Sequence, residues 1–437
     1  MAGHDELIRL TERMEYYATP GVSITVIADG EIVWSRCYGV LEDGTVLPVT
    51  EDTLFQVGSI SKPVTAVAIM RLVQEGVIDL DEDVNRYLKS WRVPPNGAWQ
   101  PRITTAMLLR HFAGTTVNRQ HGYRRNRPMP TLVEILNGER PANTSAVIVD
   151  TLPGLMFQYS GGGYAILQQL LVDVLQQPFP ELMHDLVLEP LGMRLSTFDQ
   201  PLPEDRHSNA ATAHPYGARP LIDKWHVYPE MASQGLWSTP SEIALVAIEL
   251  QRAVAGRSAL GLSPELVDKT LTEPGLGLFI QGEGENKRFV HPGWGHGYMS
   301  EMVAYKHKGI GAVVMRNSSQ GQMEFSAEVL RGIAQVYDWP DYLPVDLEIP
   351  SVNLNLSQYA GRYRLDSGDI AEVTVRGGAL ALSLLGQSPF ELLPARDGTF
   401  FSKSLRGKTT FSADKEGAVT KIVFSTDWVY REAYRIS

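Results

Sequence analysis

Two stretches of the chain place a serine three residues ahead of a lysine: Ser59-Ile60-Ser61-Lys62 and Ser412-Ala413-Asp414-Lys415. A serine hydroxyl attacks a carbonyl only when a base takes its proton. A lysine is such a base only when neutral, so its pKa must fall from about 10.4 through burial or neighbouring positive charge. The bare pattern is common, and context separates the two copies. Ser59 follows Phe55-Gln56-Val57-Gly58 and opens the strongest helical run in the chain, Ser59–Gln74. Positions i and i+3 share a helix face, so Lys62 can sit one turn above the Ser59 hydroxyl. The helix N-terminus adds positive potential that favours an alkoxide or an oxyanion. Pro63 falls in the first turn, where amide donors have no helical acceptor anyway. The plainer reading of Ser59 is a helix N-cap beside a surface lysine. The second copy leads into Asp414-Lys415-Glu416-Gly417, a charged hairpin turn, and there the plain reading prevails.

The elements that must position these residues follow from periodicity. Residues 4–17 read as an amphipathic helix. Gly21–Ala28 and Glu31–Tyr38 are β-rich runs joined by Asp29-Gly30, a strong hairpin signal. From about Ser59 to Leu271 the pattern is mainly helical, with long loops at 92–102, 114–130 and 199–230, and Tyr164–Leu175 is a second clear helix. Strand pattern returns at Arg288–Val290, Glu301–Tyr305 and Ile310–Met315, and Phe325–Tyr337 closes the region as a helix. Strands at both ends of some 340 residues, bracketing a helical middle, predict one sheet with helices packed around it in an α/β sandwich. Pro340, Pro344 and Pro350 mark a linker, and after it short alternating runs without helices predict a small antiparallel β domain. The expected organisation is therefore a domain over 1–340, a linker over 341–350 and a β domain over 351–437.

Composition narrows the function. The 39 Lys and Arg against 50 Asp and Glu give a net charge of −11, a field that repels nucleic acid and is relieved by no basic run. Cys37 is the single cysteine, which excludes intrachain disulfides and cysteine-rich metal sites. No run approaches the ~20 apolar residues of a membrane span, and the charged N-terminus is not a signal peptide, so a cytoplasmic location is expected. G-x-S-x-G, H-E-x-x-H and the phosphate-loop pattern are all absent. The glycine-rich pieces 275–284 and 293–297 read as turns beside strands.

Several segments then occur in a specific order. After Phe55–Lys62 come Leu108-Leu109-Arg110-His111-Phe112-Ala113-Gly114, Tyr159-Ser160-Gly161, Glu189-Pro190-Leu191-Gly192-Met193, Gly235-Leu236-Trp237-Ser238-Thr239-Pro240 and His291-Pro292-Gly293. This set resembles the serine β-lactamase-like and penicillin-binding-protein-like hydrolases, in particular the esterases and D-aminopeptidases related to class C β-lactamases. The likeness covers about residues 5–340. The trailing β domain resembles the lipocalin-like domain attached to many such proteins.

The resemblance implies a β-lactamase-like fold, with a central antiparallel sheet, helices on both faces, a helical subdomain and a barrel-like C-terminal domain. It implies an acyl-enzyme on Ser59, with Lys62 and Tyr159 moving the proton and the Ser59 and Trp294 backbone amides holding the oxyanion. His291 and Gly293 match the H-x-G variant of the family's third motif, K-T-G. A histidine is neutral more often than not at pH 7, which favours ester or amide substrates over carboxylated β-lactams. Gly161 departs from the second motif, Y-x-N, and removes an amide that would touch Lys62 and the substrate carbonyl. Arg124 and Arg125, in the 114–130 loop, are the expected source of any compensating charge. A metal pairing of His291 with His296 is disfavoured by their spacing. Ser61 is expected to pack or hydrogen-bond in the first helical turn, and Tyr123, Tyr164, Trp237 and Tyr298 to be core. The implied reaction needs no metal or organic cofactor and takes a small ester, amide or peptide. Two other readings stay open at this stage: acyl transfer or peptide cyclisation, as in penicillin-binding-protein-type thioesterases, and non-catalytic binding on a degenerate scaffold.

Overall fold

The computed structural model describes residues 4–320, 323–342, 355–365, 368–376, 379–384, 390–395, 399–402, 408–425 and 430–436. The chain forms two compact units, Met1–Gln320 and Gly321–Ser437.

The first unit is organised on one antiparallel sheet. Its strands are β1 (Gly21–Ala28), β2 (Glu31–Gly39), β3 (Phe279–Gln281), β4 (Arg288–Gly295), β5 (Tyr298–Tyr305) and β6 (Gly311–Arg316), in the spatial order β2-β1-β6-β5-β4-β3. Asp29 and Gly30 both take positive φ, 54° and 72°, as a two-residue hairpin turn between β1 and β2 requires. β1 then pairs with β6, Val22 opposite Arg316, which closes the two ends of the unit into one sheet. β3 is too short to stand out in the sequence and lies inside the stretch read as turns. β4 also runs further than its apolar core suggests, because Pro292 to Gly295 continue to pair with β5. Pro292 is tolerated there because β3 covers only Arg288 to Val290, leaving that half of β4 without a strand on its other side.

Helix α1 (His4–Tyr16) precedes the sheet, and α2 (Ser61–Gln74), α3 (Gly161–Leu175), α4 (Met231–Gln234) and α5 (Pro240–Val254) follow within the middle of the chain. α5 packs across β1, β2, β5 and β6. Ser241 near its start bonds Ser35 at 2.8 Å and Thr25 at 3.1 Å on the sheet. α2 is apolar almost all round, with Val64 through Met70 buried, as a helix inside a core must be.

α3 begins three residues earlier than the helix expected from Tyr164. The Ser160 hydroxyl accepts from the Gly163 amide at 3.0 Å and so caps a first turn made of Gly161, Gly162 and Gly163. That turn is pressed against neighbouring chain. A Cβ on Gly162 would stand 2.6 Å from the Thr116 carbonyl oxygen. Close approach, not turn propensity, is why glycines occupy a helix start.

The second unit contains the helix Glu324–Val336 and a closed barrel of eight antiparallel strands. The barrel strands are Gly361–Leu365, Ile370–Arg376, Ala379–Leu384, Phe390–Pro394, Phe400–Phe401, Lys408–Ala413, Val419–Ser425 and Tyr430–Arg435. Tyr363, Val373, Leu380, Leu382, Leu392, Phe400 and Ile422 fill its interior. Seven of the eight strands follow the alternation in the sequence; the two-residue strand at Phe400 is too short to show one. The helix 324–336, placed by its pattern at the end of the first domain, groups with this unit. The expected linker, 341–350, lies outside the described residues from 343 onward. No helix among the described residues is long and apolar enough to cross a membrane.

Candidate active site

The turn that carries Ser59 is fixed from two sides before any chemistry is considered. Phe55 and Gln56 pair antiparallel with Ser238 and Trp237, and the Val57 amide donates to the Leu236 carbonyl at 3.1 Å. The chain then enters a 3-10 turn, Gly58–Ile60, directly ahead of α2. The Ser61 hydroxyl ties that turn together, donating to the Gly58 carbonyl at 2.7 Å and accepting from the Leu236 amide at 3.1 Å. This is the local role expected of Ser61.

The uncovered half of β4 supplies the other wall. Gly58 takes φ +57°, and a Cβ there would lie 2.6–2.8 Å from the backbone of Trp294. A Cβ on Gly293 would lie 1.9 Å from the Val57 carbonyl oxygen. Both contacts are shorter than any side chain allows, so a glycine on each side lets the Ser59 turn and β4 meet backbone to backbone. The backbones of Ser59 and Trp294, the two donors implied by the family resemblance, are thereby brought to the same place.

Lys62 Nζ stands 3.0 Å from Ser59 Oγ and donates to the Ser233 carbonyl of α4, also at 3.0 Å. The lysine is buried, and among the described residues no carboxylate pairs with it. Desolvation therefore acts unopposed and pulls its pKa down to about 7. Tyr159 moves the opposite way. Its phenol is hydrogen-bonded to Ser59, with Lys62 Nζ 5.0 Å from its ring centre, yet burial pushes its pKa up to about 12. At neutral pH the phenol keeps its proton. The lysine is the group poised to accept one, a sharper division than the sequence allowed.

His111 is a residue of this site that sequence reasoning passed over, although it lies in the Leu108–Gly114 segment. It is fully buried in a left-handed conformation, φ +61°. Its Nδ1 accepts from the Ser160 amide at 3.2 Å, and its ring lies 4.3 Å from that of Tyr159. It props the tyrosine toward Ser59. Burial, then the Lys62 charge, holds it neutral.

His291 lies within β4 and does not end it. It is buried, its ring stacks 5.1 Å from Phe279, and its Nδ1 donates to the Pro292 carbonyl at 2.7 Å. Burial, with the Lys62 charge, lowers its pKa to about 3. With Nδ1 carrying the proton, Nε2 is left as an acceptor. His296 turns elsewhere, its ring stacked 4.4 Å from that of His226. The two histidines form no pair.

Gly161 shows what happened to the missing amide. A Cβ at this position would lie 2.7 Å from Gln120 Oε1 and 2.9 Å from its Cδ. The buried Gln120 side chain fills the space that a side chain at 161 would take. Its Oε1 accepts from the Ser233 hydroxyl, and its Nε2 has no partner among the described residues. Gln120 was invisible to motif reading because it comes from a loop some forty residues upstream. Of the aromatics judged outside the site, Tyr123, Trp237 and Tyr298 are buried as core, and Tyr164 backs the lysine with its ring centre 5.4 Å from Nζ.

Comparison with known proteins identifies the family and the fold. The sequence model of the Beta-lactamase family matches residues 9–335. The chain belongs to the beta-lactamase family. A second family, a domain of unknown function (DUF3471), matches residues 348–434, which include the barrel. Penicillin-binding protein 4* of Bacillus subtilis is 23% identical over 452 residues, 94% of each chain. Protein flp of Staphylococcus aureus is 24% identical over 68% of this chain and 59% of its own. Among solved structures, the octameric penicillin-binding protein homologue from Pyrococcus abyssi shares the fold over 99% of this chain and 100% of its own, with a TM-score of 0.67 and 24% identity. D-alanine carboxypeptidase AmpC from Burkholderia cenocepacia covers 76% of this chain and 100% of its own, with a TM-score of 0.59 and 19% identity.

Proposed function

We propose that this beta-lactamase-family protein is a serine hydrolase that cleaves small esters or amides, D-amino-acid peptides among them, through an acyl-enzyme on Ser59. The observation that carries the reading is a buried lysine without a counter-ion, 3.0 Å from a serine hydroxyl at the head of its helix. A pKa near 7 makes a large fraction of Lys62 neutral at physiological pH, as a general base requires.

The steps follow from the geometry. Ser59 Oγ attacks the substrate carbonyl carbon while its proton passes to Lys62 Nζ. Negative charge on the carbonyl oxygen meets the Ser59 and Trp294 backbone amides, held together by the glycine contacts. The Tyr159 phenol gives its proton to the departing alcohol or amine and is refilled from the Lys62 ammonium. Water then attacks the acyl carbon, with the same groups acting in reverse. Gln120 Nε2, buried and without a partner among the described residues, lies beside the position of the missing amide. We read the C-terminal barrel as lipocalin-like.

A panel of p-nitrophenyl esters, D-amino-acid p-nitroanilides and their L counterparts tests the reading. Turnover by the native protein, lost in Ser59→Ala, is the expected result. No turnover of any of them, and no covalent adduct on Ser59, would leave a binding protein on a hydrolase scaffold.

A further inference from the structure

The sequence offered Arg124 as a group from outside the motifs that would complete the site, but its Nε is paired with Asp223 at 2.8 Å. A carboxamide that no motif contains does reach the serine. Gln234 closes α4, and its Nε2 stands 3.5 Å from Ser59 Oγ. Lys62 Nζ, at 3.0 Å, and the Tyr159 phenol are the other groups on that oxygen.

α4 is held firmly enough to aim this side chain. The Ala232 amide donates to Gln168 Oε1 at 3.0 Å, and the Ala232 carbonyl accepts from the Thr65 hydroxyl at 3.1 Å. The Ser233 carbonyl accepts from Lys62, so consecutive residues of α4 address the lysine and the serine. Past Gln234 the chain turns at Gly235, where a Cβ would lie 2.6 Å from Met231 Cα, and the Gly235 carbonyl accepts from Gln200 Nε2 at 2.7 Å. The other end of the Gln234 carboxamide has no such support. Its Oε1 is buried, and no described residue donates to it. A buried carbonyl without a donor costs stability, and an apolar side chain of the same volume would avoid that cost. A residue that served packing alone would gain by losing the carboxamide, which directs attention to its other end, at Ser59.

We infer that Gln234 is a catalytic residue of the second half-reaction, donating a hydrogen bond to Ser59 Oγ as that oxygen leaves the acyl group. The inference rests on the serine-hydrolase reading above. Water adds to the acyl carbon and its proton passes through Tyr159 to Lys62. The tetrahedral intermediate then collapses: the carbon–Oγ bond breaks, its electron pair stays on Oγ, and the Lys62 ammonium returns a proton there. Negative charge builds on Oγ during that departure, so the Gln234 bond strengthens in the transition state. On attack, charge passes from Oγ to the carbonyl oxygen and the same bond weakens. Gln234 therefore speeds release of the acyl group and contributes little to its capture.

Rapid mixing with p-nitrophenyl acetate separates the two halves, and quenched samples analysed by mass spectrometry give the acyl-enzyme fraction. Gln234→Met keeps the volume and removes the donor; Gln234→Leu repeats the test with a second apolar side chain. In each, the first release of p-nitrophenol should stay within about three-fold of native while the steady-state rate falls about ten- to a hundred-fold, as for one charge-assisted hydrogen bond. kcat and KM should fall together, and acyl-enzyme should accumulate on Ser59. Fluorophosphonate labelling needs attack by Oγ but no departure of it, and should keep its native rate. Equal losses in both phases, an unchanged steady state, or failure of both variants to label would overturn the proposal and leave Gln234 as support for the Ser59 turn. Native protein that releases no p-nitrophenol and carries no adduct would instead overturn the hydrolase reading, and this proposal with it.

Discussion

In the first unit, the serine of an S-x-x-K run sits in a 3-10 turn pressed against a strand, and its lysine is buried within 3.0 Å of the hydroxyl. In the barrel, the serine of the other run lies on the strand Lys408–Ala413, and its lysine is exposed at the tip of a hairpin. There the Asp414 carboxylate accepts from the Glu416 and Ala418 amides, each at 2.9 Å, and shapes the turn. The residue pattern is identical. What differs is whether the fold takes the ammonium out of water without giving it a counter-ion. Doing so costs stability, and in the proposed reaction it is what makes Lys62 the base. The comparison teaches that the motif has chemical meaning only together with the desolvated pocket around it.

The largest effect expected from breaking the comparison is at the nucleophile. Ser59→Ala should lower kcat/KM by roughly 10⁴-fold or more, with the melting temperature little changed. Stopped-assay kinetics on the best ester of the panel would measure it. Lys62→Met keeps the volume and removes the base, and should cost about 10²–10⁴-fold. In the native protein kcat/KM should rise with pH through an apparent pKa near 7 and then level off, because the neutral lysine is the active form. No further limb from His291 is expected, since it stays neutral above a pKa of about 3.

The same lysine gives a stability test with a definite sign. Its folded pKa, about 7, lies below the ~10.4 of the unfolded chain. Between those values the unfolded chain binds more protons, so stability rises with pH across that window. Lys62→Met lacks the cost of desolvating a charge. It should melt above the native protein at pH 7 and below, and the gap should close toward pH 10 in thermal scans.

A smaller loss is expected where the two backbones touch. Gly293→Ala must push Val57 away and spread the oxyanion donors, costing about 10²-fold in kcat, since one such donor is worth ~10²–10³. Gly161→Asn restores the family's amide on paper. It should nevertheless lower activity several-fold, because Gln120 already occupies the space. Gln120→Ala in the same chain should relieve the clash and recover part of the loss, which a double-mutant cycle would read. At the bottom of the scale, Ser412→Ala and Lys415→Met should change turnover by less than about two-fold, as surface substitutions do.

How much of this could be read from the sequence follows the same division. The hairpin at Asp29-Gly30, the α2 helix and most barrel strands announce themselves through local periodicity and turn chemistry. Ser59, Lys62, Tyr159 and His291 could be singled out because each sits in a short run of characteristic residues. The features that escaped are those made by contact between distant segments. Gln120 beneath Gly161 and Gln234 beside Ser59 depend on a loop folding back on a helix start and on a short helix reaching the serine. The glycines at 58 and 293 matter through a backbone approach that no one-dimensional pattern records. That Lys62 must lose proton affinity to act as a base could be said from its residue type; that burial does this while raising Tyr159 could not.

Peptide mapping by mass spectrometry after brief exposure to a fluorophosphonate, at pH 8 where Lys62 is mostly neutral, tests the central claim most directly. The account predicts one adduct on the native protein, on the peptide containing Ser59, and much slower labelling in Lys62→Met. Labelling at Ser412 or any other residue, or labelling of Ser59 at the same rate without the lysine, would contradict it.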